Sequence, residues 1–237
     1  MNIVITGASS GIGYQTALAF SATIQNRIIC MSRNVRKLKM LHDEVYKKNP
    51  AAKLMILELD LETLDEKKIK DVLADYGMKH IDILINNAGA LINKPFGKLT
   101  DADWQHLYGV NVFGVAKLIK LLLPYLQHKE IRSHIVNISS MGGVQGSSKF
   151  SGLSAYSSSK GALAVLTECL AEEFKPLNIS VNCLAIGAVQ TEMLQKAFPD
   201  YRAPLEAAQM AAFIVDFATN GHRYFNGKIL PVSLSTP

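Results

Sequence analysis

Thr6-Gly-Ala-Ser-Ser-Gly-Ile-Gly13 lies between the apolar run Asn2 to Ile5 and a helical pattern carrying Ala17, Leu18 and Phe20. The order is strand, glycine turn, helix start. Gly7, Gly11 and Gly13 permit a tight turn and close backbone approach, so amides at the helix N-terminus can face a pyrophosphate, whose charge the helix dipole favours. The spacing is GxxxGxG, not the GxGxxG of the common dinucleotide fingerprint. A strand-to-helix turn without a ligand is the plainer alternative, and the position after the first strand favours a nucleotide.

Outward from this turn, strand-like runs recur near residues 2 to 6, 27 to 32, 53 to 59, 81 to 86, 132 to 139, 178 to 184 and 228 to 232. Helical patterns separate most of them. Continuous apolar strands alternating with helices predict an α/β fold, a doubly wound parallel sheet of about seven strands covered on both faces, with ligands at the carboxyl ends of the strands. A chain of 237 residues with 49% hydrophobic content can bury a substantial core, and we expect one domain over 1–237. Gly109 and Gly114 interrupt a helical pattern, where each costs about 1 kcal/mol relative to Ala, and so predict close packing there.

Tyr156-Ser-Ser-Ser-Lys160 puts a phenol and an ammonium four residues apart on one helix face. Lowering a tyrosine pKa from roughly 10 toward 7 takes about 4 kcal/mol of preferential phenolate stabilisation, which a nearby cation can contribute. The spacing alone is common on helix surfaces. Three further segments accompany it: Asn86-Asn-Ala-Gly89 after an apolar strand, Asn111-Val-Phe-Gly114 in a long helix and Asn137-Ile-Ser-Ser140 closing a strand. With TGxxxGxG, NNAG, NxxG, a serine-bearing strand end and YxxxK in order over nearly the whole chain, the sequence resembles the short-chain dehydrogenase/reductase family, in its single-domain branch.

The resemblance implies a Rossmann-like fold and hydride transfer between a nicotinamide and a carbonyl or alcohol. The family's proton donor and acceptor matches Tyr156, and the lysine that lowers its pKa and hydrogen-bonds the nicotinamide ribose matches Lys160. Asn111 resembles the asparagine that holds a water linking the lysine toward solvent; a buried asparagine satisfied by backbone is its bland alternative. The substrate-orienting serine usually lies 13 residues before the tyrosine, where this chain has Gly143. The strand ending matches Ser139 and Ser140 instead, which assigns the role to Ser140 and implies extra residues in the loop through Gly146, Ser147 and Ser148. The cofactor-contacting set implied by the family is Gly7, Ser9, Ser10, Gly11, Ile12, Gly13, Ser32 and Arg33 on the nucleotide side. Asp60, Leu61, Asn87, Ala88, Gly89, Tyr156, Lys160, Gly187, Val189 and Thr191 complete it. Capping of a following helix is the plainer role for Asp60, and an N-cap for Thr191.

Arg33 also carries a reading of its own. A free ribose 2′-hydroxyl is usually held by an acidic residue about 20 positions after the glycine turn, whereas an arginine there accommodates a 2′-phosphate. Here Ser32 and Arg33 occupy that place, and Arg33 to Lys53 contains seven Lys or Arg against Asp43 and Glu44. NADP(H) is therefore expected over NAD(H).

The family commonly has Pro-Gly after the sixth strand, and this chain has Ile186-Gly187. Met141, Val144, Phe150, Leu153, Met193 and Phe198 suggest an apolar substrate pocket, and the short segment after Thr191 suggests an open one. The ending Val232-Ser-Leu-Ser-Thr-Pro237 lacks the family's glycine-rich close, which puts subunit contacts there in doubt. A tetramer or dimer is still expected, since Ala162 to Leu166 is apolar around the helix.

Other classes are disfavoured. The net charge of +5 comes without an aromatic-basic motif, so nucleic acid is not expected as a partner. Cys30, Cys169 and Cys183 are scattered in apolar segments, as buried thiols are, and the histidines lack metal-ligand spacing. Apolar runs such as Leu118 to Leu126 contain lysine or proline and fall short of a membrane span, and Met1 leads straight into the first strand, so a cytoplasmic location is expected. A nucleotide sensor would not need Tyr156, Lys160, Asn111 and Ser140 together. An epimerase or dehydratase of the extended branch carries TGxxGxxG and a larger C-terminal region.

Overall fold

Each strand-like run of the sequence enters one parallel sheet in the computed structural model, which describes residues 1–127 and 130–234. The strands are β1 (Asn2–Thr6), β2 (Arg27–Ser32), β3 (Lys53–Glu58), β4 (Ile83–Asn86), β5 (Ser133–Ser140), β6 (Ile179–Ile186), two short segments β7 (Val189–Gln190) and β8 (Leu205–Glu206), and β9 (Ile229–Val232). The helices are α1 (Gly11–Ser21), α2 (Val35–Lys48), α3 (Glu66–Asp75), α4 (Asp101–Tyr108), α5 (Gly114–Leu126), α6 (Ser154–Glu173), α7 (Glu192–Ala197) and α8 (Ala207–Asn220). The sheet order is β3-β2-β1-β4-β5-β6-β9, and β7 pairs with β8 apart from it. The chain winds outward from β1 to β3 and then crosses back to β4. That reversal opens a crevice at the carboxyl ends of β1 and β4.

Strand alternation divides the core into two layers. Val4 and Leu84 pack with Leu73, Leu118 and Leu163 on one side, while Ile3, Ile5, Ile83 and Ile85 pack with Phe20, Leu41 and Ile214 on the other. Local signals agree with this placement. In α2, Asn34 caps the start by accepting from the Lys37 amide at 3.0 Å, and Leu38, Leu41 and Val45 form the buried stripe. In α3 the cap is Asp65, which accepts from the Lys68 amide at 3.0 Å, so Asp60 is not a helix cap.

The long helical pattern contains a π segment, Gly109–Phe113, between α4 and α5. Its glycines are there for space. A Cβ on Gly114 would lie 2.6 Å from the Leu61 side chain, and one on Gly109 would lie 3.0 Å from Glu62 Oε1. By length and composition alone the continuous stretch Asp101–Leu126, which contains an 18-residue window of mean hydropathy 1.4, is long and apolar enough to cross a membrane, which corrects the expectation from its lysines and proline. Leu107, Val115, Leu118, Leu122 and Leu126 are buried in the core, as in a helix that covers a sheet. Cys30 and Cys183 are buried as expected, whereas Cys169 is exposed on the outer face of α6.

Candidate active site

The turn after β1 is locked to the loop after β4. Gly7 and Gly11 adopt φ of +68° and +55°, and a Cβ on Gly13 would sit 2.3 Å from Asn87 Nδ2 and 2.4 Å from the Gly7 carbonyl. Asn87 Nδ2 donates to the carbonyls of Thr6 and Gly7 at 3.1 and 3.2 Å, and the Ala88 amide donates to Thr6 Oγ1 at 3.0 Å. The Ser10 side chain does not cap α1, and the first turn carries no acidic residue. This leaves amides at the start of α1 available to an anion, and the missing Cβ atoms give a ligand access to backbone.

Beside the cradle, Ser32 donates to Ser9 across the crevice at 2.7 Å. Arg33 is exposed, with Nη1 4.0 Å from the Asp60 carboxylate, and Asp60 also accepts from the Glu62 amide at 3.0 Å. Lys37 Nζ grips both Glu192 oxygens at 2.8 and 2.7 Å, joining the start of α2 to the start of α7. Spacing could not have revealed that last pair, because its members lie 155 residues apart.

At the other end of the same cavity of about 360 Å³ are Ser140, Tyr156 and Lys160. Burial raises the Tyr156 phenol above its ordinary pKa, and a hydrogen bond with the Ser140 hydroxyl opposes that shift. Lys160 is buried, donates to the Ile138 carbonyl at 2.9 Å and is pushed down to about 8 by desolvation. Its Nζ lies 6.0 Å from the centre of the Tyr156 ring. The sequence expects a lowered phenol pKa; here desolvation outweighs the hydrogen bond with Ser140 and the shift is upward. A protonated phenol suits proton donation.

The two candidate serines divide. Both line the cavity, but Ser139 Oγ donates to the Lys160 carbonyl at 2.8 Å, tying β5 to α6, whereas Ser140 accepts from the Gly142 amide at 3.2 Å and hydrogen-bonds Tyr156. Gly143 presses on α6: a Cβ there would lie 2.7 Å from the Gly161 nitrogen. That position has no room for a hydroxyl-bearing side chain.

Asn111, in the π segment, is fully buried. Its Oδ1 accepts from the Ala90 amide at 2.8 Å, and its Nδ2 donates to the Ala90 carbonyl at 3.0 Å and to Ser159 Oγ at 2.9 Å. These bonds match the bland alternative for its side chain. A Cβ on Gly89 would be 3.2 Å from both Asn111 Oδ1 and Lys160 Nζ, so this glycine keeps the space between them clear.

A family model described as short chain dehydrogenase matches residues 1–202. The chain belongs to this short-chain dehydrogenase family. It is similar to nodulation protein G of a Rhizobium species, 29% identical over 97% of this chain and 94% of that protein. It is also similar to the 3-oxoacyl-(acyl-carrier-protein) reductase FabG of Thermotoga maritima, 28% identical over 97% and 94%. A short chain dehydrogenase from Shigella flexneri solved in complex with NADP shares the fold at a TM-score of 0.85, with 26% identity over 97% of this chain and 95% of that one. The protein is thus an oxidoreductase of the NAD(P)-dependent kind.

Within this short-chain dehydrogenase, Ile186 replaces the family proline without breaking the wall. It is the last residue of β6, pairs with Val232 and lines the cavity, and the Gly187 amide donates to the Val232 carbonyl at 2.9 Å. Val189 and Thr191 follow in the same lining, and Thr191 caps α7 by accepting from the Leu194 amide at 3.2 Å. Gly11, Ile12, Leu61, Asn87, Ala88 and Gly89 line it as well. The ending at Pro237 falls partly outside the described residues. Sequence reasoning did not single out Leu91 of the lining, or Cys183 near Lys160, a thiol pushed up to about 11 by burial and so neutral there.

Proposed function

We propose that this protein is an NADPH-preferring reductase of small ketones or aldehydes, able to run in reverse as an alcohol dehydrogenase. The observation that carries the reading is the single cavity joining the glycine cradle and Arg33 to the Tyr156–Ser140 pair. The cradle, with its missing Cβ atoms and open amides, fits a pyrophosphate, and Arg33 is suited to a 2′-phosphate. When bound, the nicotinamide supplies the hydride for reduction or receives it in oxidation.

The chain's own residues do the rest. Ser140 and Tyr156 hold the carbonyl oxygen, and the phenol passes its proton to that oxygen as negative charge develops there. The Lys160 cation opposes the phenolate charge left behind. Its proton can return along the space that Gly89 keeps clear beside Asn111, with the asparagine side chain fixed to Ala90 and Ser159. Asp60, Leu61, Gly187, Val189 and Thr191 are assigned to the cofactor walls. We read the protein as a cytoplasmic, single-domain homo-oligomer, a tetramer or dimer, with no membrane or nucleic-acid partner.

Incubation with NADPH and a panel of ketones and aldehydes, followed by NADPH absorbance, tests this. Carbonyl-dependent oxidation of the cofactor supports the reading; tight cofactor binding without turnover on any carbonyl would make the protein a nucleotide sensor.

A further inference from the structure

Across the cavity from the cradle, Phe150 of the β5–α6 loop and Phe198 at the end of α7 meet edge to face, with ring centres 6.0 Å apart and planes at 72°. Both line the cavity that contains Tyr156 and Ser140, with Met141 and Leu153 beside them. The pair is held from outside. Asn93 Nδ2 donates to the Ala197 carbonyl at 2.9 Å, and the Lys94 amide donates to the Gly152 carbonyl at 2.9 Å, so the loop after β4 fastens both ring-bearing segments. The sequence had suggested an open pocket here, and these bonds give it fixed walls.

The charges around the pair disfavour one class of substrate. Among the described residues lining the cavity, the charged ones are Arg33, Asp60, Lys160 and Glu192. Arg33 and Asp60 neighbour each other at the nucleotide end, Lys160 donates to Ile138, and Glu192 is gripped by Lys37. The lysines nearest the rings in sequence are also engaged: Lys94 with Asp103 at 2.6 Å, and Lys149 with the Val144 carbonyl and Ser147 Oγ, each at 2.7 Å. A carboxylate or phosphate on the substrate would lose water here and have to compete with the acceptors these cations already hold, whereas a flat ring would extend the edge-to-face cluster.

We propose that the Phe150–Phe198 pair is the ring-recognition element of this site and that its substrate is an uncharged ketone or aldehyde bearing an aromatic ring. The inference rests on the reductase reading above and narrows it. The carbonyl lies on Tyr156 and Ser140, and the ring packs against the two phenylalanines.

The test is calorimetric titration of protein saturated with NADP⁺, using acetophenone and 4-acetylbenzoate, which differ by one carboxylate. NADPH consumption with both compounds and with 2-butanone is followed in parallel. Acetophenone should bind tighter than 4-acetylbenzoate by at least about tenfold, as befits a charge desolvated without a partner. Phe198→Leu and Phe150→Leu keep apolar volume but lose the ring; each should weaken acetophenone by about fivefold, a larger loss than the same variant shows in KM for 2-butanone, and leave NADP⁺ affinity unchanged. Equal or tighter binding of 4-acetylbenzoate, or leucine variants that bind acetophenone like the parent, would overturn the proposal. The two readings fail separately. Acetophenone that binds with this selectivity but is not reduced overturns the reductase reading and supports the ring site; turnover of anionic and alkyl ketones without the selectivity does the reverse.

Discussion

Lys160 donates to the Ile138 carbonyl at 2.9 Å while its Nζ stands 6.0 Å from the centre of the Tyr156 ring. The hydrogen bond to the strand carbonyl holds the ammonium beside the tyrosine of its own helix. Burial moves the two groups in opposite directions, Tyr156 up and Lys160 down to about 8, because it disfavours the charged form of each. At neutral pH both hold their protons, and the site is loaded for reduction. The kcat/KM for carbonyl reduction should be level below about 8 and fall above it, as Lys160 loses its charge. A rate still rising through pH 9 would contradict this assignment.

Cofactor choice turns on Arg33. Its guanidinium is exposed at the carboxyl end of β2, beside Ser32, with no carboxylate in the usual ribose-binding place. Arg33→Ala should weaken NADPH by about tenfold to a hundredfold, the worth of a charge-assisted hydrogen bond, and scarcely alter NADH. Equal dissociation constants for the two cofactors in the parent protein would overturn the preference.

The outer surface bears on assembly. Phe96, Trp104, Tyr108 and Phe113 form a chain of ring contacts at 6.1 to 6.5 Å, and Phe96 and Phe113 are 72% and 56% exposed. Val165, on the α6 face opposite the buried Leu163 and Ala164, is 58% exposed. Such apolar surface is unusual on a monomer. Light scattering at micromolar concentration should give a dimer or tetramer mass, and a monomer mass would refute the oligomer.

Much of this was legible in the chain because glycines and motif spacings report backbone demands directly. Gly7 and Gly13 announced a turn too tight for a Cβ, and the apolar runs announced seven strands that all enter the sheet. Gly143 was legible only as a departure; its reason, contact with the Gly161 nitrogen, needs three dimensions. The Lys37–Glu192 and Asn93–Ala197 bonds join residues far apart in sequence, so no local pattern encodes them. The upward shift of the Tyr156 phenol is hidden for a related reason, since i,i+4 spacing fixes a shared helix face but not the depth at which the phenol is buried.

A second titration belongs to the far end of the sheet. His134, buried at the start of β5, has Nδ1 2.9 Å from the Ala218 carbonyl and Nε2 3.0 Å from Asn182 Nδ2, a pattern met by the neutral ring. Burial pushes it down to about 4, and the neighbouring His222, with ring centre 5.6 Å away, is lowered too. A depressed folded pKa means that the unfolded chain binds more protons between about 6.5 and 4. Stability is therefore full above about 6.5 and should fall by up to about 3 kcal/mol as pH drops through that window. Urea midpoints at several pH values would show the slope, and His134→Gln should flatten it; an unchanged slope in the variant would assign the loss to other groups.

The proton-donor role of Tyr156 is the centre of the account, and Tyr156→Phe isolates it, because the ring stays and only the hydroxyl facing Ser140 is removed. Once a reducible carbonyl is in hand, the measurement is kcat for that substrate in parent and variant, beside the NADPH dissociation constant of each. The predicted result is a fall in kcat of about 10² to 10⁴-fold with cofactor binding essentially unchanged. A variant that turns over near the parent rate, with cofactor binding intact, would contradict it.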